Sequence, residues 1–115
     1  MPCIQIKTNV EAAKETAERI KAGLGQAIAF LPGKTEEWLM VAIEDRCQMY
    51  FGGETGRPIA IAEVKILGDT VDRQGAEKMT GEITRILGDH LGGSPRDLYI
   101  KCEALPYWGW SGKNF

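Results

Sequence analysis

MPCIQIKTNVEAAKETAERIKAGLGQAIAFLPGK, residues 1–34, joins a short β-rich run to an amphipathic helix that stops at Pro32-Gly33. Apolar residues first alternate with polar ones and then recur at steps of three and four residues. Thr8-Asn9 followed by Glu11 has the spacing of a capping box, which predicts that the helix begins there. The predicted apolar face of this helix consists of Ala13, Ala17, Ile20, Leu24, Ile28 and Leu31.

A weak internal repeat predicts a second unit of the same kind. The matching positions, 60 residues apart, are Ile4 with Val64, Ile6 with Ile66, and residues 31–34 with residues 91–94. Asp72 is the predicted N-cap of the second helix, which stops at Gly92-Gly93. Its predicted apolar face consists of Ala76, Met79, Ile83, Ile86, Leu87 and Leu91. Two βαβ units therefore predict one α+β domain over residues 1–115, with a four-stranded sheet and both helices on one face.

The second strand is predicted at residues 38–43, where every residue is apolar. Such a run is typical of a strand that pairs in parallel and is buried on both faces. With both helices on one side, the other face of the sheet would be buried against copies of the same chain. The sequence thus predicts a closed symmetric oligomer.

Composition excludes several classes of protein. A chain of 115 residues with 43% hydrophobic content suits one compact domain. A net charge of −2 provides no basic face for nucleic acid. Cys3, Cys47 and Cys102 are odd in number and form no C-x-x-C, so neither a disulfide framework nor a zinc site is predicted. Without a signal peptide or a membrane-length apolar run, a cytoplasmic location is expected.

Several short motifs occur in an order and at spacings that resemble the macrophage migration inhibitory factor (MIF) family of the tautomerase superfamily. They are the Met1-Pro2-x-Ile4 start, Gly33-Lys34, Phe51-Gly52-Gly53, Ser94-Pro95, Tyr99-Ile100 and Gly109-Trp110. The resemblance covers nearly the whole chain. It implies a homotrimer with active sites at subunit interfaces, and cofactor-free keto–enol tautomerisation of phenylpyruvate-type or dopachrome-type substrates.

Pro2 is the candidate catalytic residue. A keto–enol shift needs a base of near-neutral pKa, a cationic partner for the substrate carboxylate and an apolar slot. If Met1 is removed, Pro2 carries a secondary amine whose pKa is lowered by desolvation and by nearby positive charge. If Met1 remains, the Pro2 nitrogen is an amide without basicity. Both alternatives stay open at this point.

The resemblance also implies the substrate-binding residues. Lys34 and the Ile66 N–H would bind the substrate carboxylate. The full expected set is Lys34, Ile66, Trp38, Lys65, Tyr99, Lys101, Trp108 and Phe115, with Tyr99 and Lys101 supplied by a neighbouring subunit. No metal and no cofactor are expected, and Trp110 is interpreted as a packing residue. Lys101 stands where the vertebrate proteins have an asparagine, so it adds a cation that would favour a more anionic substrate or depress the Pro2 pKa further.

Other interpretations compete with this one. By itself, Lys34 is a solvated loop lysine and Lys101 an exposed edge charge. The protein could instead be a MIF-like cytokine or mimic that binds a receptor after unconventional export, with an idle pocket. A decarboxylase or dehalogenase is disfavoured, because the arginines Arg57, Arg73 and Arg96 match no such role.

Overall fold

The computed structural model describes residues 1–115 and has the predicted α+β architecture. The long strands are β1 (Pro2–Thr8), β2 (Met40–Glu44), β3 (Ala60–Leu67) and β4 (Leu98–Leu105). The helices are α1 (Lys14–Ala27) and α2 (Arg73–Leu91). Short 3₁₀ turns cover Ile28–Phe30, Glu36–Trp38 and Pro95–Asp97, and a small hairpin is formed by β5 (Gly109–Trp110) and β6 (Lys113–Asn114).

The four long strands form one sheet in the order β2-β1-β3-β4. β1 pairs in parallel with β2, and β3 pairs in parallel with β4, while β1 and β3 are antiparallel. The two βαβ units predicted from the repeat are therefore joined through their first strands. This arrangement places the N-terminus in the middle of the sheet, between β2 and β3.

One face of the sheet is covered by both helices. Alternate residues of the two central strands are buried there, namely Ile4, Ile6, Ala62, Val64 and Ile66. The helices contribute Ile20, Leu24, Ala27, Met79, Ile83, Ile86, Leu87 and Leu91 to the same core. Both helices therefore lie on one face, as predicted. Neither helix has the length and the continuous apolar sequence of a membrane-spanning segment.

The other face of the sheet, called the open face below, carries the remaining alternate residues of the strands. They are Cys3, Gln5, Lys7, Met40, Ala42, Glu44, Ile61, Glu63, Lys65, Leu67, Tyr99, Lys101, Glu103 and Leu105. The prediction that β2 is buried on both faces is wrong for the single chain, since Met40 is 68% exposed. β2 is an edge strand, and nothing in the chain covers its outward face. It also begins at Met40 and not at Trp38, which ends a 3₁₀ turn.

The predicted start of the first helix is also wrong. α1 begins at Lys14, and its N-cap Ala13 makes no side-chain hydrogen bond. Thr8 instead ends β1, and its buried hydroxyl donates to the Ile59 carbonyl at 2.9 Å and accepts from the Val10 N–H at 3.2 Å. The capping-box spacing was misleading because the Thr8 hydroxyl closes the turn that follows β1, at Val10, and links it to Ile59, the residue before β3. By contrast, Asp72 caps α2 as predicted, accepting from the Gly75 N–H at 2.8 Å.

Replacing Thr8 by valine should lower the free energy of unfolding by about 1–3 kcal/mol, because it leaves the partly buried Val10 N–H without an acceptor at nearly constant volume. Urea denaturation followed by circular dichroism measures the change. Thr80→Val, at an exposed position of α2, is the matched control and should stay within about 0.5 kcal/mol of wild type. Equal losses in both variants would contradict a structural role for the Thr8 hydroxyl.

Candidate active site

The N-terminus lies beside the last residue of β3. Pro2 is buried at the start of β1 and is opposite Ile66 in the ladder. The ladder extends one residue further, where the Leu67 N–H donates to the Met1 carbonyl at 2.9 Å. Met1 thus places a carbonyl oxygen directly in front of a strand-end amide.

Lys34 reaches the same residue from the other side of the site. It follows Gly33, whose φ of +76° is suited to glycine and turns the chain back after α1. The Lys34 N–H donates to Leu31 at 3.1 Å, and its side-chain Nζ donates to the Leu67 carbonyl at 3.2 Å. Leu67 therefore holds Met1 through its N–H and Lys34 through its carbonyl group.

The electrostatics of this corner favour a neutral amine and a bound anion. Partial burial, and secondly the charge of Lys34, lower the pKa of the Met1 α-amine from its ordinary value. The only hydrogen bond of the Lys34 ammonium is to a neutral carbonyl group, and its charge is not matched by a carboxylate. The corner thus combines an α-amine of lowered pKa with a lysine ammonium that has no carboxylate partner.

The amide next to the N-terminus is that of Leu67, one residue beyond the predicted Ile66. In a strand, successive N–H groups point to opposite neighbours. Because the Leu67 N–H points towards β1, the Ile66 N–H points towards β4. Leu67, and not the predicted Ile66, is therefore the residue whose N–H faces the N-terminus in the chain. Register of this kind depends on strand pairing and has no signal in the sequence.

Three aromatic side chains pack together at one edge of the molecule. The Trp38 and Trp110 rings meet edge to face at a centroid distance of 5.3 Å and an interplanar angle of 82°. Trp110 also stacks on Phe115 at 6.2 Å and 20°. This group, called the aromatic cluster below, leaves Trp38 44% and Phe115 60% exposed, so its surface is open to a ligand.

Trp110, interpreted from the sequence as a packing residue, is the centre of the aromatic cluster. Trp108, the predicted pocket residue, contributes a carbonyl oxygen that accepts from the Phe115 N–H at 3.0 Å. The sequence signal for this arrangement was the pair Ser111-Gly112. In the structure both residues have positive φ, +54° and +82°. A pair of this kind marks a tight hairpin, which folds Phe115 back onto Trp110.

Lys65 and Lys101 lie on the open face and are engaged with an acidic partner. The Lys101 Nζ is 3.0 Å and the Lys65 Nζ 3.5 Å from the Glu63 carboxylate. The hydrogen bond and charge of Lys101 lower the pKa of Glu63, with a smaller contribution from Lys65. Lys101 is opposite Glu63, three positions along β3 from Ile66, or about 10 Å. A single chain therefore does not bring Lys101 to Lys34.

Tyr99 is likewise separated from the N-terminus within one chain and is 62% exposed. Phe51 packs edge-on against it at a centroid distance of 5.2 Å. The preceding Asp97 is nearly buried and accepts a hydrogen bond from the Arg57 Nε at 2.9 Å. These contacts attach the loop before β3 to the start of β4 and hold Tyr99 in an outward orientation.

No group of three or more histidine, cysteine, aspartate or glutamate side chains is placed to hold a metal ion. His90 lies half-buried in the last turn of α2. Cys3, Cys47 and Cys102 are free thiols. Burial raises the pKa of the Cys3 and Cys102 thiols, which makes these two poor nucleophiles.

Comparison with solved structures identifies several similar proteins. MIF2 of Leishmania major superposes with a TM-score of 0.90 at 24% identity, covering 100% of this chain and 97% of that protein. The MIF-like protein of Entamoeba histolytica has a TM-score of 0.86 at 16% identity, covering 99% and 98%. The MIF homologue of Prochlorococcus marinus has a TM-score of 0.81 at 25% identity and covers 98% of both chains. No curated protein matches the sequence significantly.

The family model described as macrophage migration inhibitory factor (MIF) matches residues 1–115. The match covers the whole chain, and the fold of this family is that of tautomerase-type isomerases. Together with the four-stranded sheet and its two helices, it confirms the resemblance found in the sequence. The protein belongs to the macrophage migration inhibitory factor family.

Proposed function

We propose that the protein is a cofactor-free keto–enol tautomerase of phenylpyruvate-type or dopachrome-type substrates, with the Pro2 amine as general base and acid. The observation that carries this proposal is the contact between the Leu67 N–H and the Met1 carbonyl oxygen, with Lys34 on the same residue. The Met1 oxygen stands in for a substrate oxygen, since it occupies an amide donor that would otherwise face the site.

Removal of Met1 would convert the Pro2 nitrogen into a free amine, and it would leave the Leu67 N–H without its present acceptor. The Met1 oxygen is about 2.3 Å from the Pro2 nitrogen, as in any peptide unit. A substrate oxygen hydrogen-bonded to the Leu67 N–H would lie near the Pro2 amine, farther from it than the covalently joined Met1 oxygen, with the neighbouring carbon atoms of the substrate within reach of the amine. Lys34 would pair with the carboxylate in the same step, because its charge has no carboxylate partner in the chain.

The proton transfer is balanced within the site. The neutral Pro2 amine accepts the proton from the carbon next to the keto group, and the electron pair moves onto the carbonyl oxygen to form an enolate. The Pro2 ammonium then returns that proton to the oxygen, which completes the enol. Lys34 and the Leu67 N–H stabilise the negative charge during the transfer. Burial and Lys34 lower the pKa of the Met1 amine, and we expect the same two influences to lower the pKa of the Pro2 amine once Met1 is removed.

The aromatic cluster is the proposed surface for the aryl group of the substrate. Trp38 and Phe115 were predicted for this role, and Trp110 joins them through its contacts with both. Their exposed faces offer stacking worth about 0.5–1.5 kcal/mol per pair. Trp108 stays a proposed contact at the margin of the cluster.

Tyr99 and Lys101 are proposed to reach a site only across a subunit interface of a homotrimer, whereas Lys65 lies opposite Cys3, next to Pro2 of its own chain. Family members are typically oligomeric, and both edge strands of this sheet have unpaired edges. Glu63 offsets the charges of Lys65 and Lys101, so we do not expect Lys101 to act as a free second cation. A substrate more anionic than a keto monoacid is accordingly not required.

Protein that lacks Met1 should catalyse phenylpyruvate tautomerisation, and a form that retains Met1 should be slower by about 10²-fold or more, because its Pro2 nitrogen is an amide. Pro2→Gly, with a primary amine in place of the secondary one, should fall between them. The measurement is kcat/KM by ultraviolet absorbance, with mass spectrometry of each N-terminus. Equal inactivity of all three forms would favour the alternative, a cytokine-like protein that binds a receptor.

Lys34→Met should raise KM for phenylpyruvate by about tenfold or more, because it removes a charged contact with the carboxylate. It should also move the acid limb of the kcat/KM profile to higher pH. Lys34 lowers the pKa of the terminal amine, and without it the amine is protonated at a higher pH. Lys78→Met, exposed on α2, is the control and should leave both KM and the limb unchanged. An unshifted acid limb would show that Lys34 does not lower the pKa of the catalytic amine.

Small-angle scattering and multi-angle light scattering should give a mass three times that of the 12.7 kDa chain. The physical reason is that the open face and both sheet edges lack a partner within the chain. A mass equal to one chain would overturn the homotrimer, and with it the contribution of Tyr99 and Lys101 to a neighbouring site.

A further inference from the structure

The side chain of Arg57 joins two separate segments of the chain. Its Nε donates to Asp97 Oδ2 at 2.9 Å, at the end of the 3₁₀ turn that leads into β4. Its Nη1 donates to Glu54 Oε1 at 3.2 Å, and its Nη2 donates to the Phe51 carbonyl oxygen at 3.4 Å. A guanidinium group carries its N–H donors in one rigid plane, so this single side chain holds all three acceptors in a fixed relation.

Arg57 is itself anchored at both its side chain and its backbone. The Asp97 side chain is only 11% exposed, and Arg57 is the one hydrogen-bond donor to its carboxylate. A nearly buried carboxylate needs a charged partner, so Asp97 fixes the guanidinium group. The Asn9 side chain holds the backbone, because its Nδ2 donates to the Arg57 carbonyl oxygen at 2.8 Å.

Residues 51–56 form a turn that depends on this anchor. Phe51 and Glu54 exchange backbone hydrogen bonds of 2.8 and 3.1 Å, which close the turn on itself. Residues 52–56 are all exposed, and the hydrogen bonds that join the turn to the rest of the chain both come from Arg57. Arg57 therefore holds the turn, and Phe51 with it, against the start of β4.

The Tyr99 ring is held on the open face by Phe51. Pairing of β3 with β4 fixes the Tyr99 backbone opposite Ile61, but it leaves the exposed ring free to change rotamer. The only aromatic contact of this ring is with Phe51, at a centroid distance of 5.2 Å and an interplanar angle of 60°. Arg57 thus acts on Tyr99 from two sides, through Asp97 two residues before it and through Phe51 against its ring.

We propose that Arg57 is a positioning residue that sets the orientation of the Tyr99 ring, and thereby the part of the neighbouring subunit's site that Tyr99 completes. The orientation stands on the hydrogen bonds and the ring contact within the chain, whereas its consequence for the site rests on the proposed tautomerase function and homotrimer. Arg57 itself touches no substrate. Loss of Arg57 in one chain should therefore impair the site of the next chain and spare Pro2 and Lys34 of its own.

The first test compares Arg57→Met with Arg85→Met in protein that lacks Met1. Arg85 is a matched control, since it also pairs with two carboxylates, those of Glu82 and Asp89, but on the exposed surface of α2. Each protein is labelled with fluorotyrosine for fluorine NMR. The Tyr99 resonance is identified by its absence from Tyr99→Phe, and Phe51→Ala shows where it moves when the ring contact is removed directly. The same arginine variants are assayed for kcat and KM with phenylpyruvate.

We expect Arg57→Met to move the Tyr99 resonance in the same direction as Phe51→Ala. It should raise KM for phenylpyruvate about threefold or more with a smaller change in kcat, because Tyr99 is misplaced while the base is unchanged. Arg85→Met should match wild type in both readouts.

A double variant keeps the test decisive if Arg57→Met folds poorly because Asp97 has lost its partner. Arg57→Met combined with Asp97→Asn removes the unpaired charge and should restore folding. It should still show the displaced Tyr99 resonance and the raised KM, since neither segment is held by Arg57. A double variant with the wild-type resonance and KM would overturn the proposal.

A mixed oligomer shows which subunit the effect reaches. An Arg57→Met chain without Met1 has an intact base and a misplaced Tyr99, whereas a wild-type chain that retains Met1 has a blocked base and a well-placed Tyr99. When equal amounts are refolded together, about a quarter of the sites should combine the intact base with the well-placed Tyr99. For a threefold effect of Arg57→Met, kcat/KM should be about twofold above the average of the two separate proteins.

A folded Arg57→Met protein with an unmoved Tyr99 resonance would overturn the proposal. A mixed oligomer with only the average activity would overturn the effect on the neighbouring site, because the loss then stays within one subunit. Failure of the proposed function gives a different result. If wild type has no tautomerase activity, the fluorine resonance still decides whether Arg57 orients Tyr99.

Discussion

The antiparallel pairing of β1 with β3 is the interaction on which the site depends. It joins the two βαβ units through the centre of the sheet and brings the first residues of the chain to the end of β3. At that end Leu67 offers its N–H to one side and its carbonyl group to Lys34 on the other. A single strand-end residue thus aligns the N-terminus with the cation, and any slip of register would separate them.

The distribution of charge follows from the two faces of the sheet. On the open face, lysines and glutamates alternate across strands, so Lys65 and Lys101 meet Glu63 in the same chain. Lys34 lies off the sheet, beyond α1, and its only hydrogen bond is to a neutral carbonyl. The unmatched cation is therefore next to the terminal amine, where a positive charge lowers the amine pKa and can attract a carboxylate. A lysine already paired with a glutamate would lower the amine pKa less and would attract a carboxylate less strongly.

The aromatic cluster is assembled from two distant parts of the chain. Trp38 comes from the loop after α1, and Trp110 and Phe115 come from the terminal hairpin. The position of Phe115 depends on the Ser111-Gly112 turn. The aromatic cluster and the Lys34 corner share one loop, residues 31–39, which carries both Lys34 and Trp38.

Features that depend on local pattern could be predicted from the sequence. Periodicity located both helices, the repeat indicated two βαβ units, and Asp72 was correctly assigned as a cap. Motif order identified the family, and the resemblance made Pro2 and Lys34 candidate site residues. Features that depend on strand pairing and on contacts between distant segments required the folded structure. Strand register directs the Leu67 N–H towards the N-terminus, the Thr8 hydroxyl donates to Ile59 and does not cap α1, and the terminal hairpin places Trp110 at the centre of the cluster. The physical reason is that period and capping act over a few residues, whereas register and packing are set by partners distant in the chain.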